Sequence, residues 1–247
     1  MKNEATKQRL YDNLGSDYFW FSGHYALAGM LFERFRPEGG TFLLNIGCGP
    51  NEFTPASETM RYIGADFSFE ACRLAKTHSP HESIVCCDAQ ALPFKNGSID
   101  AVIALELLEH LEDDRCAARE FRRILDRRGI ALVSVPAYMF LWGSHDVWNR
   151  HFRRYRAKTV RELADGTGLR IVYQTFYKIP FVIPLFLFRR LKQLFGASES
   201  SHDFVPVPQL VNTLLRRYLL CEANIARILP LPAGVSLFTI LTPRNGD

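Results

Sequence analysis

Thr41-Phe42-Leu43-Leu44-Asn45-Ile46-Gly47-Cys48-Gly49-Pro50-Asn51 is a short apolar run that feeds directly into a Gly-x-Gly turn. An open α/β sheet presents a nucleotide-like ligand in this way, at its carboxyl edge. Glycine is needed there because a Cβ obstructs both the tight turn and the close approach of a ligand to the backbone. Alone, the same residues also read as an ordinary strand-to-loop turn. Two carboxylates strengthen the ligand reading. Asp66 closes the next apolar run, Tyr62-Ile63-Gly64-Ala65-Asp66, where it can accept hydrogen bonds from both ribose hydroxyls. Asp88 follows the third run in Cys87-Asp88-Ala89-Gln90-Ala91-Leu92-Pro93-Phe94, suitably placed for the exocyclic amine of an adenine. Either aspartate by itself reads as a cap or turn residue. Together, at successive strand ends, they read as one site.

The pattern continues on both sides of this stretch. Runs suited to buried strands lie at Thr41 to Ile46, Tyr62 to Ala65, Ser83 to Cys87, Ala101 to Leu105 and Ile130 to Val135, with further strands expected at Leu169 to Thr175 and Ser236 to Leu241. Helical spacing appears from Tyr25 to Phe35 and from Asp114 to Leu125. Alternating strand and helix means crossover connections and a parallel sheet with helices on both faces. One domain over 1–247 is expected, with an N-terminal helical lid at 1–38 and a helical insertion at 177–234 before the last strand. The insertion holds two apolar helical candidates, Ile179 to Phe195 and Gln209 to Leu229, joined by the polar stretch Ala197 to Asp203.

The composition, 47% hydrophobic and 23% charged, is that of a globular chain and excludes a disordered or collagenous one. A net charge of +4 over 247 residues is too small to make nucleic acid the default partner. The six cysteines contain no C-x-x-C pair, so reduced thiols are expected rather than a zinc or disulfide framework. The opening residues carry no apolar core, and no run of about 18 apolar residues follows. A cytoplasmic location without a spanning helix is expected.

These motifs, taken together, resemble the class I S-adenosylmethionine-dependent methyltransferases. The likeness is carried by Leu43 to Gly49, Gly64-Ala65-Asp66-Phe67-Ser68, Asp88 to Phe94, Ser98 to Ile103 followed by Leu108-Glu109-His110-Leu111, Phe121 to Leu125, and Leu132 to Pro136. The resemblance implies a Rossmann-like seven-stranded sheet with its last strand antiparallel. It also implies S-adenosyl-L-methionine as cofactor, held by Asn45, Gly47, Cys48, Gly49, Asp66, Phe67, Asp88, Ala89 and Leu105. Glu109 and His110 would lie at the cofactor pocket, or cap the short helix there. Two residues depart from the family pattern: Asn45 replaces a usual acid, and Asn51 a common third glycine. A dinucleotide reading needs glycine where Glu52 sits. A short-chain dehydrogenase needs Tyr-x-x-x-Lys, whereas Tyr155 and Lys158 are one residue too close.

After the fifth strand come Leu141-Trp142-Gly143-Ser144-His145-Asp146 and His151-Phe152-Arg153-Arg154-Tyr155. They are similar to a subgroup of that family associated with sugar, cell-envelope or lipid-linked metabolism, in which glycine usually stands where Arg150 is. Three readings fit the residues. His145 or His151 acts as general base on an acceptor hydroxyl. Alternatively, His145, Asp146 and His151 hold a metal. In the third reading the loop is bonded within itself while Arg153 and Arg154 salt-bridge a helix. The assignment adopted is His145 and His151 as catalytic candidates, His110, Asp146, Arg153, Arg154 and Tyr155 as acceptor-binding candidates, and no metal. Arg150 to Arg161 holds six basic residues and no acid, either a solvated face or an anion site. Trp20 and its aromatic neighbours are candidates for a cover over the cofactor, or for core.

Ile179 to Phe188 is ten uncharged residues followed by Arg189-Arg190-Leu191-Lys192, the arrangement of an interfacial segment. Two helices buried against each other account for the same residues without a membrane. The reaction expected is methyl transfer to a small-molecule or lipid- or sugar-linked acceptor, at oxygen, with peripheral membrane contact through 179–195. The alternative is a Rossmann-like module without catalysis that binds a membrane or protein partner.

Overall fold

The computed structural model describes residues 17–51, 53, 60–194 and 206–244. Seven strands, β1 (Phe42–Ile46), β2 (Arg61–Asp66), β3 (Ser83–Cys86), β4 (Ile99–Leu105), β5 (Leu125–Pro136), β6 (Leu169–Tyr177) and β7 (Ser236–Pro243), form one sheet in the order β3-β2-β1-β4-β5-β7-β6. Pairs from β3 through β5 are parallel, whereas β7 runs antiparallel to both β5 and β6. The order reverses beside β1, which opens a crevice at the carboxyl ends of β1 and β4.

The helices are α1 (Phe19–Phe35), α2 (Phe69–His78), α3 (Asp114–Ile124), α4 (Ser144–Asn149), α5 (Ala157–Gly166), α6 (Val182–Leu194) and α7 (Gln209–Ala226). Successive side chains of a strand point to opposite faces, and this divides the core in two. Leu43, Ala101, Ile103, Leu132 and Phe238 pack with α1 and α7. Leu44, Val102, Ala104, Val133 and Leu237 pack with α3 and α5. Asp113 caps α3 by accepting from the Cys116 amide, and Ser68 caps α2 by accepting from Ala71.

Two expectations differ from the structure for reasons that lie far along the chain. The first helix starts at Phe19, so the aromatic cluster forms its opening turn. Its N-terminus is capped from across the fold, since Asn212 of α7 accepts from the Phe19 amide at 2.8 Å. The insertion helices are not a self-contained pair. α7 lies on α1, with Leu219, Ala223 and Ala226 buried beside Leu27, Leu31 and Phe32, whereas α6 packs against the Met139–Leu141 turn. The linker Ala197 to Asp203, residues 1–16 of the expected lid, Phe195 and Glu52 lie outside the described residues.

Where β6 turns into the insertion, Lys178 adopts a left-handed φ of 67° and is 1% exposed. Its Nζ lies 3.4 Å from His24 Nδ1 and 4.0 Å from the Trp20 ring centroid. Burial pulls the ammonium down to about 7, against the opposing pull of Glu106 and Glu222. A group whose folded pKa lies below its unfolded value of about 10.4 binds more protons unfolded across that window, so stability rises with pH there. Denaturant midpoints of the wild type should therefore climb relative to Lys178→Met between pH 7 and pH 10. Parallel pH profiles would show that Lys178 stays charged in the fold.

Candidate active site

On the cofactor side, β1 ends in Gly47 and Gly49, both at left-handed φ values of 72° and 54°. At Gly47 an added Cβ would meet Leu107 Cδ1 at 3.0 Å, so the turn requires glycine on two counts. Asp66 at the end of β2 organises it. One carboxylate oxygen accepts from the Gly49 amide at 2.9 Å and the other from the Ser68 amide at 2.8 Å. Lone pairs remain on both oxygens for further donors. Asp88 accepts from the Gln90 amide at 2.8 Å with Ala89 buried beside it, and Phe67 presents a ring that is 77% exposed at the same edge. Cys48 is buried, and its thiol is pushed up to about 12 by burial and by Asp66, so it is not a nucleophile here. Leu105 ends β4 next to the turn.

The two departures from the family pattern are joined through one tyrosine. Asn45 Nδ2 donates to Tyr62 Oη at 3.0 Å, and Tyr62 in turn donates to Asn51 Oδ1. Asn51 holds a left-handed φ of 65°, a conformation asparagine tolerates where glycine is absent. It also donates to Ser79 Oγ at 3.0 Å. Asparagine at both positions thus makes a buried polar bridge under the glycine turn.

A cavity of about 300 Å³ opens beyond the carboxyl ends of β4 and β5. His145, His151 and Arg154 line it together with Glu106, Pro136, the aromatics Tyr18 to Trp20 and, from α6, Leu185, Phe188 and Arg189. Its polar wall is built on Asp146, whose residue exposure is 0%. One oxygen of Asp146 accepts from His151 Nδ1 at 3.0 Å and from Arg154 Nε at 2.7 Å. The other accepts from the Gly143 amide at 2.9 Å and from Arg189 Nη1 at 3.2 Å. Burial alone raises a carboxyl, but the His151 hydrogen bond and the two guanidiniums outweigh it and hold Asp146 well below the usual carboxylate range. With Nδ1 donating to Asp146, the lone pair of His151 sits on Nε2. Arg150 supplies the left-handed residue before it, with φ 58°.

The segment Phe152 to Tyr155 returns beside β5 through bonds from Tyr155 N to Pro136 O and from Phe152 N to Glu109 O. Side chains then alternate in direction. Arg154 turns inward to Asp146, whereas Arg153 binds Asp114 and the Glu112 carbonyl, at 3.2 and 2.5 Å. Tyr155 is 3% exposed and donates to Asp114 at 2.8 Å. Arg153 and Tyr155 are therefore not brought to the cavity, and of the two arginines only Arg154 lines it. His145 accepts from Asn149 at 2.9 Å through Nε2. All four oxygen contacts of Asp146 are internal to the wall, so the triplet His145, Asp146 and His151 does not form a metal site. His110 is exposed, with its ring 4.6 Å from that of His151.

Sequence reasoning passed over two contributors, Glu106 and Arg189, and named a third, Glu109, only for the cofactor pocket or a helix cap. Glu106 takes a left-handed φ of 50° and accepts from Ser134 Oγ at 3.1 Å at the cavity wall. Arg189 comes from the insertion, too far along the chain for any local pattern to connect it to Asp146. Glu109 is 0% exposed, and neither carboxylate oxygen has a hydrogen-bond partner among the described residues. Burial and the neighbouring Glu106 push its carboxyl well above the usual range. An acid directly after an apolar strand, Glu106 after Leu105, and an acid inside the apolar Leu107 to Leu111 run are the signals that were available.

Comparison with known proteins agrees with this geometry. Residues 44–133 match the family described as "Methyltransferase domain". A protein of Mycolicibacterium smegmatis named "Probable S-adenosylmethionine-dependent methyltransferase" is 27% identical over 170 residues, covering 67% of this chain and 65% of that protein. An uncharacterized protein of Methanocaldococcus jannaschii is 30% identical over 140 residues, covering 53% and 54%. The chain thus spans between 54% and 65% of the length of these two relatives. Among solved structures, a TehB-like methyltransferase of Corynebacterium glutamicum superposes with a TM-score of 0.57 at 16% identity, over 98% of both chains.

Tyr62→Phe should leave Asn45 and Asn51 short of a partner inside the fold and cost roughly 1–3 kcal/mol. Urea unfolding measures this, and an unchanged midpoint would show that the bridge is not formed. Residues 44–133 thus match a methyltransferase domain, on a sheet whose fold is shared with a solved methyltransferase structure.

Proposed function

We propose that the protein transfers the sulfonium methyl of S-adenosylmethionine to a hydroxyl oxygen of a small or lipid- or sugar-linked acceptor. The observation that carries this reading is the cavity beyond the carboxyl ends of β4 and β5, apolar on the α6 side and polar at the Asp146–His151 wall. An acceptor oxygen forms a bond to the methyl carbon as the sulfur–methyl bond breaks with its electron pair going to sulfur. The products are the methylated oxygen and S-adenosylhomocysteine. The acceptor's proton must leave, and the His151 Nε2 edge is the basic group at that wall. The rest of the work is alignment, because the sulfonium already supplies a good leaving group. In this reading Gly47, Cys48 and Gly49 hold the methionine and ribose part, Asp66 the ribose, and Asp88 with Ala89 the adenine. The non-catalytic alternative is not favoured, since both the domain match and the relatives point to methyl transfer.

S-adenosylhomocysteine should bind the wild type in calorimetry and fail to bind Gly47→Arg, whose side chain cannot pass Leu107. Asp66→Ala should weaken binding at least tenfold by removing both the ribose acceptor and the tie to Gly49. Absence of binding to the wild type, or equal binding by all three, contradicts the cofactor assignment.

A lipid-linked acceptor is supported by the outer face of α6. Ile183, Leu187 and Leu191 are 69%, 52% and 53% exposed, with Arg190 exposed beside them. α7 adds Leu210 and Leu214 at 72% and 55%, beside exposed Arg217. No described helix is long and apolar enough to cross a membrane, so the contact is peripheral. Phosphatidylglycerol vesicles at low salt should float the wild type but not Ile183→Asp with Leu187→Asp. Failure of the wild type to float removes the membrane part of the reading and leaves a small acceptor.

A further inference from the structure

Glu109 carries a buried carboxylate with no partner on either oxygen among the described residues. Leaving such a group unsatisfied costs free energy whether it is ionised or protonated, so a group beyond the described residues is expected to meet it. The surroundings say what. One ligand atom each from Glu109, His110 and His151 lie within 4.8 Å of one another, the spacing of donors around a single ion. Nδ1 of His151 is already engaged by Asp146 at 3.0 Å, which leaves Nε2 as its ligand atom. A carboxylate bonded to the far nitrogen of a histidine fixes the ring and raises its basicity, the usual support for a metal-binding imidazole.

We propose that Glu109, His110 and His151 bind one divalent transition-metal ion at the acceptor side of the site. Two imidazoles and one carboxylate suit zinc, manganese or iron rather than magnesium, which prefers an all-oxygen shell. Three protein ligands leave coordination positions open. His151 lines the cavity and His110 is exposed, so those positions are reachable by an oxygen of a bound molecule. With the ion present His151 is a ligand, and an acceptor hydroxyl is held by the metal instead of by the imidazole. The ion-binding claim does not depend on methyl transfer. It departs from the metal-free expectation of the sequence because Glu109, in an apolar run, gave no sign of being turned toward His151.

Tag-free protein stripped with a chelator should bind one equivalent of Zn²⁺ in calorimetry, and Mg²⁺ at least a hundredfold more weakly. Glu109→Gln should weaken Zn²⁺ binding at least tenfold. His110→Ala should do the same, and because His110 is exposed its thermal unfolding should match the wild type. No saturable Zn²⁺ binding overturns the proposal, as does binding of equal strength in the wild type and both variants. Calorimetry with S-adenosylhomocysteine reads the cofactor site separately, so failure here is distinguishable from failure of the methyltransferase reading.

Discussion

A single buried anion, Asp146, holds the loop after β5 and the insertion helix α6 together at the edge of the cavity. Its two oxygens receive Arg154 from the loop after β5, Arg189 from α6, the ring of His151 and the Gly143 amide. An isolated carboxylate could not stay ionised at 0% exposure. The guanidiniums make it tolerable, and each of them depends on the same anion, because a buried arginine without its partner is costly. The packing around Arg189 is correspondingly tight. A Cβ on Gly143 would sit 2.8 Å from its Cδ, so the loop can approach α6 only with glycine there. A buried ion pair of this kind adds little net stability over apolar packing, but it fixes one arrangement of loop and insertion. The cavity wall follows from that arrangement.

The cofactor side is built differently. Its contacts are local and mostly backbone: Gly49 and Ser68 amides on Asp66, the Gln90 amide on Asp88, and the Gly47 amide on the Ala65 carbonyl. Arg123 steadies the segment that follows Asp88 by donating to the Leu92 and Phe94 carbonyls, at 2.9 and 2.7 Å. The sheet thus presents a preformed half-site beside β1 and β2, and a second half beyond β4 and β5 whose shape depends on an insertion far along the chain.

That division also decides how much was legible from the residues. β1, its glycine turn, Asp66 and Asp88 could be read because strand, turn and acid are adjacent in sequence and each obeys a local rule. The strands came out close to their observed bounds for the same reason, except that β5 starts at Leu125 rather than Ile130. The start of α1 was missed because its cap, Asn212, is contributed from the other end of the chain. The partners of Asp146 were missed in part: His151 and Arg154 are near it in sequence, but Arg189 is not. Arg153 and Tyr155 were placed in the site because their neighbours belong there, yet alternation along an extended segment sends them to Asp114. The self-pairing of α6 with α7 failed because apolar spacing shows that a helix face needs cover without showing what covers it.

The central claim is that Asp146 ties α6 to the sheet and so shapes the cavity beyond β4 and β5. Hydrogen exchange on Asp146→Asn measures this directly. Amides of 184–192 should exchange at least tenfold faster than in the wild type, while those of β1 and β4 keep their protection. Unchanged exchange in α6, or a uniform loss of protection across the sheet, would contradict the account.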